Sequence, residues 1–447
     1  MKRRFLIPIS KSKVIPSVAL LQDDDGKKKN RFKYKHQLAL WWKVKLSITL
    51  VSMTLLLIGL SRHRFPPLGT RVGLYKEELE PWESPIIHII NTRFMQHQGN
   101  LTTLAAARLH LFKTICLPSI LHQTSHDFLW IIKIDPDLNI DVRNELIEII
   151  HQGLEIKGLE QKRSLASLRE RIFVIGSNVN FNYGAWRGGT ESAEVLSHHV
   201  ENRIHMGNVD LLKMAKKAEP DKIVLESRLD ADDGLNYAYI AYLHQEALRK
   251  FDDSIERTFK WFYWCVETHF KWYVSAEGEY GQLGGDLNNK CVTPGLTTGF
   301  NVGTSVEDVP MYGHQDLLSS LQGSFSCMKD NDVGHKGEKD ENEKVPCVDL
   351  VSGFIGAVRA RTATSAGMND VKGQIGTQDT DILWDMLEER FGIMVEDAIE
   401  TKRYFEENMK EITKENLEGQ CRPGHSCKES SQKKLVQIIE DSEQSTH

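Results

Sequence analysis

The chain has 447 residues, 40% of them hydrophobic and 26% charged, enough for one large domain or two smaller ones around a real core. Its net charge of −6 is unevenly placed: residues 1–45 carry thirteen Lys or Arg against three Asp, a local +10 that leaves −16 on the remainder. An acidic body of that kind repels a phosphate backbone, which argues against nucleic acid as a partner.

The basic segment, residues 1–37, reads as a tail. Leu46 to Leu60 (LSITLVSMTLLLIGL) is uncharged, and Leu38 to Trp42 extends the apolar run beyond Lys43 and Lys45. About twenty apolar residues span a bilayer, and two lysines near one end can snorkel to the headgroups. The run starts too far from Met1 for an ordinary cleaved signal peptide. Residues 38–60 are therefore expected to be a signal-anchor helix, the alternative being a buried core helix of a soluble enzyme. Basic residues on its N-terminal side place the N-terminus in the cytosol and the rest in a lumen. The short uncharged core suits a thin endoplasmic-reticulum or Golgi membrane, as a type II protein.

Residues 61–84 read as a short stem. The first strand is expected at Ile86 to Ile90, running into Asn91-Thr92-Arg93. From Leu101 to Ile115, positions 104, 108, 111, 112 and 115 keep helical spacing, and Pro118 is expected to stop the run. Phe128 to Ile134 (FLWIIKI) suits a strand covered on both faces, ending in Asp135-Pro136. A helix follows over Asp141 to Gly153, a third strand over Ile172 to Ile175, a helix over Asn208 to Ala218 and a fourth strand over Ile223 to Leu225. This alternation indicates an α/β domain with a mostly parallel sheet, over about residues 85–405. Residues 259–273 are dense in aromatics, suiting either a packed core or a platform for stacking an acceptor sugar. Asp381 to Phe391 has helical spacing, and residues 406–447 read as a charged, flexible tail.

There are seven cysteines. Cys116 and Cys265 lie in apolar surroundings and read as free buried thiols. Cys327 with Cys347, and Cys421 with Cys427, bracket polar stretches that disulfides would close, in keeping with an oxidising lumen. Asn100-Leu101-Thr102 is a glycosylation sequon.

The most informative stretch is Lys222 to Leu235, KIVLESRLDADDGL, in which an apolar strand runs into Asp230, Asp232 and Asp233. Three carboxylates within four residues repel one another unless a cation or strong donors sit among them. In open α/β sheets, ligands bind beyond the carboxyl ends of the strands, where this cluster falls. Asp-x-Asp there can hold Mn²⁺ or Mg²⁺, hard cations that take substrate phosphate oxygens as further ligands. An EF-hand loop fails, because Leu235 stands where glycine is wanted and Ala241 where the bidentate Glu belongs. A two-metal phosphatase would want further His and Asp partners, which are not found. A plain solvated turn remains open.

Asn91 to Phe94 (NTRF), Arg108 to Asp135 (RLHLFKTICLPSILHQTSHDFLWIIKID), Ser227 to Leu235 (SRLDADDGL) and Arg359 to Met368 (RARTATSAGM) together resemble the putative rhamnosyltransferase family, in a membrane-anchored form. The resemblance covers scattered blocks over roughly residues 85–395 and implies a GT-A-like, nucleotide-sugar-using glycosyltransferase. It implies a nucleoside-diphosphate sugar donor, with rhamnose among the candidate sugars, and a glycan or glycoconjugate acceptor. Thr92, Arg93, Asp135 and Arg228 would then serve the donor, with Asp135 on the base or ribose. Asp230 and Asp232 would hold the metal, with Asp233 in reserve and His314 as a further ligand. Asp379 or Asp381, opening the last clear helix, would be the base that takes the acceptor's proton. Arg359, Arg361, Thr364 and Ser365 are further candidates for the diphosphate. The other class of reading is a catalytically silent lumenal protein that keeps this fold to bind glycans or a partner.

Overall fold

The computed structural model describes residues 83–161, 165–178, 186–188, 203–252, 254, 258–287, 290–310, 312, 316–321, 327–328, 347–364, 380–421, 433 and 436–437. The expected membrane segment, His314, Asp379 and Cys427 lie outside them, and so does the side chain of Asp381.

The chain opens with β1 (Ile86–Phe94), followed by α1 (Thr102–Leu111), a π-helical turn (Phe112–Cys116) and α2 (Leu117–Leu121). Pro118 does not stop this helix, as its position had suggested. The π turn widens the coil just before it, and Pro118 then stands at the start of the next segment, where its missing N–H costs little. This composite helix, Thr102–Leu121, has the length and hydropathy of a membrane span, but most of its apolar surface is buried within the domain. Next come β2 (Leu129–Ile134), α3 (Ile140–Gln161, longer than the expected segment), α4 (Ala166–Glu170), β3 (Ile172–Gly176), β4 (Ile204–Met206) and α5 (Val209–Ala218). Beyond them lie β5 (Ile223–Asp230), β6 (Asp233–Leu235), α6 (Tyr239–Lys250), β7 (Trp261–Val266), β8 (Thr268–Tyr273), β9 (Gln282–Leu287) and β10 (Leu296–Phe300). The last elements are α7 (Leu317–Leu321), β11 (Val348–Val351), β12 (Ala357–Arg361), α8 (Thr380–Phe391) and α9 (Val395–Gln420).

Among the described residues the strands form an eight-stranded sheet, ordered β11-β7-β10-β5-β1-β2-β3-β4, and a four-stranded sheet, ordered β6-β12-β8-β9. In the large sheet β5, β1, β2 and β3 run parallel, while β10 and β4 run against their neighbours. The fold is thus mixed α/β with a largely parallel core. Alternation along the strands feeds two apolar layers: Ile90, Phe94, Trp130 and Ile132 on one face, Ile87, Ile89, Leu129 and Ile131 on the other.

Two further readings of the sequence need correction, and one left open is decided. Of the tail expected over residues 406–447, the part up to Gln420 belongs instead to α9, which buries Phe405, Ile412 and Leu417. Its Glu415 carboxylate accepts from the Leu104 amide at 2.7 Å, capping α1, which has no side-chain cap of its own. Cys265 is not a free thiol; it is bridged to Cys291. Its apolar setting is equally that of a buried disulfide, and the partner 26 residues away carried no local signal. The aromatic segment is core rather than platform, since Trp261, Phe262, Tyr263, Trp264, Phe270 and Trp272 are all buried. Cys116 is a free, buried thiol, and Cys327 pairs with Cys347. Cys421 is disulfide-bonded.

Candidate active site

From β1 the chain proceeds outward to β2 and β3, then returns to place β5 on the other side of β1. The connections therefore diverge between β1 and β5, and a crevice opens at the carboxyl ends of strands on either side of such a reversal. Arg93 and Asp230 are partners in the β1–β5 register at that point, and both strands end there. Arg93 donates to Asp230 Oδ1 from Nη2 at 2.8 Å and from Nε at 3.2 Å.

After Asp230 the chain turns through Ala231 and Asp232 into β6, which pairs with β12. That pairing sets Asp233 opposite Arg359, whose Nε donates to Asp233 Oδ1 at 3.3 Å. The Ala360 amide donates to the Asp232 carbonyl at 3.1 Å, so the turn is held by backbone as well. Gly234 is needed here for space: a Cβ would meet Val358 Cγ1 at 2.9 Å and Ile115 Cγ2 at 3.0 Å. The composite helix and β12 thus clamp the turn from two sides.

Electrostatics separate the three carboxylates. Burial pushes the Asp230 carboxyl up, but Arg93, Arg228 and Arg359 outweigh it and hold the group below its ordinary range. Asp232 is raised by burial and by Asp230, against the pull of Arg108 and Arg359. Asp233 is pushed well above its ordinary value by burial, with Asp232 and Asp230 adding to the effect against Arg359. Arg108 was not singled out from the sequence. It falls on the face of α1 read from spacing alone, and a charge within that inward-facing stripe was the available signal. Its guanidinium bonds Gln98 Oε1 and, at 3.2 Å, Met95 Sδ, within the field of Asp232 and Asp230.

The remaining candidates divide. Arg228 lies on the same strand face as Asp230 and contributes to its field. Thr92 faces the other way and is buried, its hydroxyl accepting from Trp130 Nε1 at 2.8 Å, so it braces the core rather than lining the crevice. Asp135 follows β2, but its carboxylate is engaged with the Asp137 amide (2.9 Å) and Asn178 Nδ2 (3.4 Å). Asp381 stands in the first turn of α8, as expected. Asp233, held in reserve as a metal ligand, is instead committed to Arg359 through Oδ1, while its buried Oδ2 makes no hydrogen bond among the described residues.

Among the described residues no group of three or more His, Cys, Asp or Glu is arranged to hold a metal. Asp230 and Asp232 would thus supply two carboxylates, leaving other positions to water and phosphate. That donor set suits Mg²⁺ or Mn²⁺ and not a closed zinc site.

Residues 102–173 match a family model described as Putative rhamnosyl transferase. The match runs from α1 through β2 to the start of β3, includes Arg108 and Asp135, and ends before the aspartate cluster. It supports glycosyltransferase activity in general terms. No curated protein matches the chain.

Proposed function

We propose that this chain is a GT-A-type glycosyltransferase that uses Mn²⁺ or Mg²⁺ to move a sugar, rhamnose among the candidates, from a nucleoside-diphosphate donor to a glycan or glycoconjugate acceptor. The observation that carries the reading is the aspartate cluster at the reversal between β1 and β5, ringed by Arg93, Arg108, Arg228 and Arg359. Carboxylates at a strand end suit a hard cation, and several arginines around them suit a diphosphate.

In this reaction the acceptor oxygen attacks the anomeric carbon as the bond from that carbon to the diphosphate breaks. Asp230 and Asp232 would hold the metal, which when bound offsets charge building on the departing diphosphate. Arg93 and Arg228 would bind and orient the diphosphate, with Arg108 behind them. Asp379 or Asp381 would take the acceptor's proton at the mouth of α8. Residues 38–60 would anchor the chain as a type II protein of the Golgi or endoplasmic reticulum, between a cytosolic tail (1–37) and a lumenal stem (61–84). The buried disulfides Cys265–Cys291 and Cys327–Cys347 support an oxidising lumen, and Asn100 of the sequon is exposed.

One observation favours the silent binding protein instead: Asp230 and Asp233 are each already paired with an arginine. Turnover separates the two. The full-length chain is screened against nucleoside-diphosphate sugars with and without Mn²⁺, beside Asp230→Ala/Asp232→Ala. We expect metal-dependent release of nucleoside diphosphate, abolished by chelation and reduced at least about 10²-fold in the double variant. A folded, glycan-binding chain that turns over no donor would establish the silent reading.

A further inference from the structure

The two arginine–aspartate pairs of the site are built differently. Asp233 and Arg359 are 2% and 23% exposed, and the β6–β12 ladder fixes both backbones. Arg93 and Asp230 are 44% and 24% exposed and sit at the open ends of their strands. Nε and Nη2 of Arg93 both converge on Asp230 Oδ1. Asn91 lies two residues earlier on the same face of β1, opposite Arg228. It is 3% exposed, yet neither Oδ1 nor Nδ2 makes a hydrogen bond among the described residues. An unsatisfied buried amide is costly, and beside charged groups at a strand end it marks a place for a polar ligand.

We infer that Arg93 is an exchangeable counter-ion, which neutralises Asp230 in the empty site and passes to the donor's diphosphate when a divalent cation takes the carboxylate. The inference rests on the proposed metal-dependent reading of this site. Arg93 and the cation compete for the same carboxylate, so the cation alone binds weakly. A cation arriving with a diphosphate gives Arg93 a new partner, and the competition is relieved. Metal and diphosphate therefore strengthen each other's binding, and linkage makes the effect reciprocal. The site thereby discriminates against free metal and takes up the metal–diphosphate pair. Arg359 cannot play this part, because moving it would strand the buried Asp233 carboxylate.

The test uses the full-length protein and two probes, Mn²⁺ alone and Mn²⁺ with inorganic pyrophosphate, titrated calorimetrically against wild type, Arg93→Gln, Arg93→Lys and Asp230→Asn. Arg93→Gln should bind Mn²⁺ alone roughly fivefold tighter, the scale set by a half-exposed ion pair. It should bind the Mn²⁺–pyrophosphate pair more weakly, so the coupling between the two shrinks to what direct metal–phosphate contact supplies. Arg93→Lys should keep part of the coupling, which a purely structural role would not predict. Equal or weaker Mn²⁺ binding by Arg93→Gln, with binding still lost in Asp230→Asn, would overturn the exchange and leave the metal site standing. Mn²⁺ binding that is absent even with pyrophosphate present, or indifferent to Asp230→Asn, would overturn the metal reading itself and the exchange with it.

Discussion

Arg359 stands 126 residues after Asp233, and nothing local to either residue announces the pair. Its consequence is nonetheless definite, because one partner is almost wholly buried. Replacing Arg359 by Met would leave a carboxylate in a poor solvent with its counter-charge removed. We expect a loss of about 3–5 kcal/mol by urea unfolding at neutral pH, against at most about 1 kcal/mol for Arg93→Gln. The deficit of Arg359→Met should shrink on acidification, since burial already favours the protonated form of Asp233. Equal losses for the two variants would mean that exposure is not what separates these pairs. Three carboxylates in four residues were legible as a site because their repulsion needs an explanation wherever they sit. Which arginine meets which carboxylate was not legible, because strand pairing decides it.

At the scale of elements, the fourth expected strand stopped at Leu225, whereas β5 continues to Asp230 through Glu226, Ser227 and Arg228. Polar residues resemble a strand end, but here a buried network receives one of them. Ser227 Oγ bonds His88 Nε2 of β1 at 2.7 Å and Thr297 Oγ1 of β10 at 2.6 Å, and His88 Nδ1 meets His244 Nε2 of α6 at 3.0 Å. Burial holds both histidines below their ordinary value, with His244 at about 4. The folded chain therefore keeps them neutral to lower pH than the unfolded chain, in which histidine titrates at about 6.5. Below that pH the unfolded chain binds more protons, so acidification from 6.5 towards 4 should destabilise the fold. The slope is about 1.4 kcal/mol per pH unit for each histidine. Urea midpoints between pH 7.5 and 5 would measure it, and His244→Gln should flatten the profile. A pH-independent midpoint over that range would sink this account. The composite helix makes the same point about local signals, since the proline was legible and the π turn that accommodates it was not.

For the molecule as a whole, the Cys265–Cys291 bridge ties the end of β7 to the loop that precedes β10, and the Gly295 amide of that loop bonds the Arg228 carbonyl. Closing 26 residues removes conformational entropy from the unfolded chain worth about 3–4 kcal/mol in the loop-closure treatment. Cys265→Ser/Cys291→Ser should lower stability by that order in denaturant titration, and a reducing agent should act on the wild-type chain in the same direction. No change in either experiment would remove the bridge as support for an oxidising compartment.

The sequence by itself determined the alternation of strands and helices, because apolar periodicity records which residues must leave water. It also determined the concentration of carboxylates after one strand, since local repulsion is visible without any tertiary contact. Only the tertiary structure decided that β5 returns to the far side of β1, which sets Asp230 against Arg93 at a reversal in the sheet. It alone decided that Arg359 neutralises Asp233, that Thr92 serves the core, and that Cys265 finds Cys291. These depend on which distant segments pair and in what register, and a strand's own residues specify its faces but not its neighbour.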